Sequence, residues 1–454
     1  MSNRRYILMS SSAGLVIRIA GAGLALASQI FIARVVGREH FGIYLYAMSS
    51  IALLAIVARL GIDSSLPRFL PVMLSQGKLA EYRGTLRLGF ALPLALAAVL
   101  GAGALLYLLV LVPGDLSAKQ GTLLLMLLAL PAFTLSFIRR AAMISLKRVV
   151  WAELPDMVIR PALMLAGTAA LYFALRSVTS QHIALLFAGA STTALAVGSL
   201  MLYRAQPPET QGAAAAYPVK EVMRISMPLL LMTGFSTAVA EFTVVCLGWY
   251  KPAEEVAVYG AAVRLSLLVA FALQAANTVL NPLIAQLYHS GKYAELQAAL
   301  RDAAKWMFLL TSAALVGMVL LGKLGLSLFG DGFEAGYRVL LILLAGQAIN
   351  ALSGSVGSIM KMCNKQNQAC AILVFSAVTN VVLCFILIPR YGAEGAAISV
   401  AVGQTLWNVL MLGYTTTILK LNPTLLPLPI KPVPDLLDET KQDAPTDTPT
   451  DPEP

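Results

Sequence analysis

The chain has 454 residues, of which 58% are hydrophobic and 12% charged, with a formal net charge of +10; ordinary soluble domains carry about 25% charged residues. A mean hydropathy of +0.77 excludes a soluble enzyme. The positive balance does not point to nucleic acid, because Lys and Arg lie in short spacers between apolar runs, which is how membrane topology is written.

A bilayer core of about 30 Å takes roughly 20 apolar residues per crossing helix, since every backbone N–H and C=O must be paired within the segment. The chain therefore reads as all-α, a polytopic membrane protein with about twelve transmembrane helices. In chain order, the first six are expected near 12–35, 42–70, 86–112, 120–146, 157–176 and 182–203. After a polar spacer containing Ala and Pro, six more fall near 224–250, 255–288, 304–329, 337–360, 369–389 and 394–418. The expected organisation is an N-terminal six-helix bundle (1–203), a cytoplasmic linker (204–222), a C-terminal six-helix bundle (223–420) and a tail (421–454). That tail is rich in Pro, Thr, Asp and Glu, and buries too little apolar surface to order itself. Arg4 and Arg5 precede the first helix, which shows no small-residue cleavage site and reads as a retained span.

Orientation follows from the basic residues. Even-numbered connections carry Lys78, Arg83 and Arg87; Arg139, Arg140, Lys147 and Arg148; Arg204, Lys220 and Arg224; Lys292, Arg301 and Lys305; then Lys361 and Lys365. Odd-numbered connections hold Arg38, Lys119, Arg176, Lys251, Arg338 and Arg390, often beside Asp or Glu. The positive-inside bias places both termini in the cytoplasm. Four cysteines, Cys246, Cys363, Cys370 and Cys384, lie in or beside apolar runs without zinc-ligand spacing, and Cys363 and Cys370 read as plain thiols.

The two halves echo each other. Tyr44 and Pro67 recur as Tyr259 and Pro282, and Gly77-Lys78-Leu79-Ala80-Glu81 recurs as Gly291-Lys292-Tyr293-Ala294-Glu295. Leu86-Arg87 recurs as Leu300-Arg301 in the same order, which points to duplication. Two six-helix halves entering the membrane in the same direction would pair about a pseudo-twofold axis along the membrane normal, and transporters of that design bind substrate between the halves.

Charge inside the bilayer costs at least about 2.5 kcal/mol per group, so intramembrane charges usually face a partner or a wet cavity. Arg18 lies early in the first helix and Arg34 near its far end; each is open to a cavity reading or to snorkelling. Arg59 and Asp63 are four apart, placing them on one helical face where they can pair. Arg264 stands well inside the eighth helix with no acid one turn away, and is the best cavity candidate. Glu241 is a lone acid in the seventh helix, open to three readings: partner of Arg264, proton carrier or cation site. Gln274, Asn277 and Asn281, with Gln347, Asn350, Asn380, Gln404 and Asn408, read as interhelical glue. Deep charge is thus more cationic than anionic, which suits an anionic headgroup such as a phosphate or diphosphate. There is no nucleotide-binding Gly-x-x-x-x-Gly-Lys loop, no His-Glu-x-x-His zinc site, and His40, His182 and His289 are the only histidines; apparatus for covalent chemistry is not visible.

Several ordered motifs carry a family resemblance over roughly residues 10–420. In the opening helices they are Ala33-Arg34-Val35-Val36-Gly37, Phe41-Gly42-Ile43-Tyr44, Leu60-Gly61-Ile62-Asp63 and Arg68-Phe69-Leu70. In the second half they are Met227-Pro228-Leu229-Leu230, Val258-Tyr259, Arg264-Leu265, Pro282-Leu283-Ile284 and Arg390-Tyr391-Gly392-Ala393-Glu394-Gly395. The chain resembles the multidrug/oligosaccharidyl-lipid/polysaccharide exporter superfamily, and within it the polysaccharide-type flippases. Arg264 follows Tyr259 as an arginine follows a tyrosine in the related lipid II flippases. Those flippases usually add two helices beyond twelve, for which the stretch after residue 420 has no apolar length. The drug-exporting branch typically uses an acid in the first helix, where this chain has none.

The resemblance implies translocation of an undecaprenyl-diphosphate-linked oligosaccharide to the outer leaflet by alternating access, for O-antigen, capsule or exopolysaccharide assembly. Expected substrate-binding residues are Arg264, Arg18 and Arg59; Glu241 and Asp63 are expected in cation coupling or ion pairing. No metal or cofactor is expected beyond coupling to a Na+ or H+ gradient. Expected partners are the polyprenyl-diphosphate-linked glycan and membrane lipids, with a polysaccharide polymerase and assembly proteins as further candidates, and not nucleic acid. The expected location is the bacterial cytoplasmic membrane. Three alternatives stay open: a cation-coupled exporter of drugs or another lipid, a membrane-embedded glycosyltransferase or polymerase, and a structural scaffold.

Overall fold

A computed structural model describes residues 3–110, 117–210, 214–230 and 234–425; most of the expected tail, from 426 onward, lies outside them. The described backbone is helical, without a strand. In order the helices are α1 (Asn3–Arg59), α2 (Ile62–Ser75), α3 (Leu79–Val110), α4 (Ala118–Leu127), α5 (Leu130–Ser145) and α6 (Val149–Leu154). After a π-helical turn (Pro155–Ile159) come α7 (Arg160–Ala174), α8 (Ser180–Ala205), α9 (Val219–Leu229), α10 (Phe235–Tyr250) and α11 (Ala253–His289). The chain continues with α12 (Tyr293–Ser327), α13 (Tyr337–Ser353), α14 (Val356–Met362) and α15 (Gln366–Thr417). The protein is a polytopic membrane protein.

Among the described residues, seven helical stretches are long and apolar enough to cross a bilayer, or eight if α4 and α5, bent by 45°, form one span. Two of the seven, Ile17–Arg59 and Gln366–Thr417, contain 43 and 52 residues. At about 1.5 Å per residue each exceeds twice the roughly 30 Å hydrocarbon core. Each is broken at one glycine: Gly37 (φ 76°, ψ 172°) and Gly392 (φ 54°, ψ −129°). Those angles are open essentially to glycine alone, so each stretch can supply two crossings, as the apolar windows require. The remaining differences from the expected spans also have local causes. The second span breaks at Leu60 and Gly61, both left-handed. The fifth begins at Val149, ahead of the expected residue 157, because a π turn absorbs a proline. Pro161 has no N–H, and its ring would meet the Met157 carbonyl four residues back. Widening the turn relieves this, and the Arg160 N–H instead bonds the Pro155 carbonyl.

The chain divides into two compact units: residues 1–265, 320–343 and 377–400, and residues 266–319, 344–376 and 401–454. In the first, Leu66, Leu70 and Met73 of α2 pack with Tyr82 and Leu86 of α3 and with Ala142 of α5. In the second, Leu280, Ile284 and Leu287 pack with Leu296, Leu300 and Ile359. These are the same positions of the repeat, so each copy builds its own core from equivalent residues.

Backbone turns repeat as well. Gly77 and Gly291 have φ of 68° and 69°; the Lys78 N–H bonds the Met73 carbonyl and the Lys292 N–H bonds the Leu287 carbonyl. Further on, Lys147 and Asn364 are both left-handed, at φ 61° and 58°. There the Arg148 N–H bonds the Met143 carbonyl and the Lys365 N–H bonds the Met360 carbonyl. The turn type recurs although its residues do not, since Asn tolerates the left-handed region and Lys is held there by the flanking helices.

Candidate functional site

The left-handed turn at Lys147 folds α6 back along α5. Two arginines near the end of α5, Arg139 and Arg140, are thereby brought against two acids just beyond the turn, Glu153 and Asp156. The π turn then sets Arg160, at the start of α7, beside Asp156 (3.6 Å). From α1, Arg18 reaches the same cluster because Gly21, one turn later, lets the helices close: a Cβ there would stand 2.8 Å from the Met157 carbonyl oxygen.

One oxygen of Glu153 accepts from two guanidinium groups, Arg18 Nη2 at 2.8 Å and Arg140 Nη2 at 2.7 Å, with Arg18 Nε at 3.2 Å. Its other oxygen is buried and has no hydrogen-bond donor among the described residues. Glu153 is wholly buried (0%), whereas the Arg18 and Arg140 side chains are 46% and 30% exposed. Arg139 is itself wholly buried; its Nη2 donates to Asp156 Oδ2 at 2.5 Å and to the Ala152 carbonyl at 3.1 Å. Gly198 of α8 makes room for that guanidinium. Arg59 donates to Asp63 Oδ2 at 3.0 Å and to the Ala55 carbonyl at 3.0 Å, and lies 3.9 Å over the Phe137 ring. It is in electrostatic range of Arg140, and Arg139 is in range of Arg160. Among the described residues, five arginines here face three carboxylates. The surplus of two positive charges stands within apolar helices, where repulsion among cations is relieved by an incoming anion.

A second group continues from this one through Tyr44, which has Arg160 and Arg264 within electrostatic range. Arg264 donates to the Gly260 carbonyl at 2.9 Å, and its Nε is buried without an acceptor among the described residues. Glu241 lies within electrostatic range of Arg264 and hydrogen-bonds Ser49. Nearby, Thr243, Asn380 and Cys384 form a buried polar contact. Of the expected site residues, then, Arg18 and Arg59 stand in the first cluster, each with an acid, and Asp63 is the partner of Arg59. Arg264 and Glu241 stand together in the second group. Arg34 belongs to neither: it donates to the Leu328 and Ser327 carbonyls, closing the end of α12.

The sequence reading missed Glu153, Asp156 and Arg160, and counted Arg139 and Arg140 as charges of a connection. The structure places both arginines inside α5, with Arg139 fully buried. A signal was present: Arg140 and Glu153, like Arg139 and Asp156, are nearly equidistant from Lys147, so a tight helical hairpin there brings them face to face.

Comparison with known proteins adds the following. The profile of the family described as "Polysaccharide biosynthesis protein" matches residues 8–288, and the MatE profile matches residues 228–386. A curated relative, the probable low-salt glycan biosynthesis flippase Agl15 of Haloferax volcanii, is 23% identical over 176 residues; this stretch spans 38% of the present chain and 37% of that relative. Among solved structures, an inward-facing multidrug resistance MATE family transporter of the MOP superfamily matches with a TM-score of 0.67 at 15% identity, over 88% of this chain and 97% of that one. The lipid II flippase MurJ in an inward closed conformation matches with a TM-score of 0.67 at 14% identity, over 90% of this chain and 88% of that one. At such identities the structural likeness establishes a shared fold.

Proposed function

The chain belongs to the polysaccharide biosynthesis protein family, and from that premise we propose that it is a flippase for an undecaprenyl-diphosphate-linked oligosaccharide. The observation that carries the proposal is the arginine surplus inside apolar helices: five arginines against three acids in the first cluster, with Arg264 beyond it. A diphosphate brings the negative charge that this surplus lacks, and charge-assisted bonds from guanidinium groups hold it in a low-dielectric setting. The polyprenyl tail stays in lipid throughout. Alternating access then carries the headgroup from the cytoplasmic to the outer leaflet, in the service of O-antigen, capsule or exopolysaccharide assembly.

In this reading the protein resides in the bacterial cytoplasmic membrane with both termini in the cytoplasm, and works beside a polysaccharide polymerase and assembly proteins. Arg264, Arg18 and Arg59 bind substrate, joined by Arg140. Asp63 pairs with Arg59. The test is deletion of the gene in its host, complemented by wild type or Arg264→Ala, with lipid-linked oligosaccharide measured on each leaflet. Accumulation on the cytoplasmic leaflet that Arg264→Ala does not relieve, at normal membrane levels, supports the proposal. Unchanged surface glycan on deletion, where no second flippase is present, overturns it.

A second reading, a cation-coupled exporter of drugs or another lipid, is favoured by one observation: Glu241 sits among polar groups within an apolar helix. It requires export that collapses with Glu241→Gln and a drug-susceptibility change on deletion, with glycan intact.

A further inference from the structure

Resting on the flippase reading, we infer that Glu153 is the positioning residue of a two-pronged arginine clamp, Arg18 and Arg140, that selects a diphosphate over a monophosphate. Glu153 itself is sealed from solvent while both arginines remain accessible. An incoming anion therefore meets the guanidinium faces first and finds the carboxylate behind them. Because both Nη2 atoms bond the same oxygen, at 2.8 and 2.7 Å, they can be no farther apart than those two distances laid end to end. That brings two guanidinium groups side by side against their mutual repulsion, which without a shared counter-charge would drive them apart. With Arg18 Nε on Glu153 and Arg140 Nε buried, the Nη1 donors and the second N–H of each Nη2 are left for two phosphoryl groups joined through one bridging oxygen, one guanidinium to each. A monophosphate has three terminal oxygens on one phosphorus, which both forks must share, whereas a diphosphate gives each fork a phosphoryl group of its own. The second phosphoryl contact is then expected to contribute about ten- to a hundredfold in affinity.

The experiment uses the full chain in lipid nanodiscs and two probes, farnesyl diphosphate and farnesyl monophosphate, with Kd measured for each. Wild type is expected to favour the diphosphate by about tenfold or more. Glu153→Gln, which keeps the size and removes the charge, is expected to bring that ratio to within about threefold, as are Arg18→Gln and Arg140→Gln. Arg34→Gln, which lies outside the cluster, leaves the ratio unchanged. Residues acting as one clamp are non-additive, so Arg18→Gln with Arg140→Gln lowers the ratio no further than either alone. This double variant decides the matter even if Glu153→Gln does not fold. A full ratio in Glu153→Gln, or additive effects of the two arginines, overturns the clamp while leaving diphosphate binding intact. Absence of diphosphate binding in wild type overturns the flippase reading itself.

Discussion

Asp156→Asn isolates what the buried arginine of α5 requires. Arg139 has no exposed surface, and its one acidic hydrogen bond is Nη2 to Asp156 Oδ2 at 2.5 Å. That contact puts the charge centres roughly 4 Å apart, worth about 4 kcal/mol at an effective dielectric near 20. Asparagine keeps an acceptor for Nη2, and the bond from Nη2 to the Ala152 carbonyl is untouched, so the expected loss is about 3 kcal/mol, the lower end for orphaning a buried charge. This is a roughly hundredfold shift of the unfolding equilibrium. Replacing both partners, Arg139→Met with Asp156→Leu, removes the desolvation cost along with the attraction and is expected to recover most of that loss, the remainder falling on Arg160, which also loses Asp156. The assay is unfolding of purified protein in mixed micelles with increasing SDS, followed by helicity, for wild type, each single variant and the double. A stable Asp156→Asn protein, or a double variant as weak as the two losses added, refutes the reasoning.

Three other outcomes follow from the geometry. Gly198→Ala would place a Cβ 2.6 Å from Arg139 Nε, and is expected to lower stability by about 1–3 kcal/mol; the loss should vanish in the Arg139→Met, Asp156→Leu background, measured by the same unfolding. Arg34→Ala removes the bonds to the Leu328 and Ser327 carbonyls and is expected to cost about 1 kcal/mol, with surface glycan in cells unchanged once membrane levels are matched. Cys363, in the turn after α14, has its thiol pushed up to about 12 by burial. At pH 8 roughly one thiol in ten thousand is ionised, so maleimide labelling of the native protein, read by mass spectrometry, should spare Cys363 and reach it only on denaturation.

What the sequence disclosed about this site depended on range. The Arg59–Asp63 pair was legible because both residues lie on one helical face, and the structure shows it at 3.0 Å. Arg18 was visible as a charge within an apolar run, but its acid, Glu153, is 135 positions away, beyond what helical periodicity can register. Arg139 and Arg140 were misplaced because basic residues near the end of an apolar run look like topology signals; only the fold-back at Lys147 makes them internal. The spans themselves were legible from apolar length, whereas their interruptions at Leu60 and within Pro155–Ile159 depended on backbone conformation that composition does not express.

The repeated turn at Lys147 and Asn364 also fixes a register between the two halves, and across that register the charge cluster is one-sided. Carried across it, Arg139, Arg140, Glu153 and Asp156 correspond to Val356, Gly357, Cys370 and Leu373. The two halves share this turn and an equivalent apolar core, while only the first carries ionised groups at these four places. At these places the two halves are electrostatically unequal: the first holds paired charge, the second is neutral there, and the second half's own deep charge lies instead at Glu241 and Arg264.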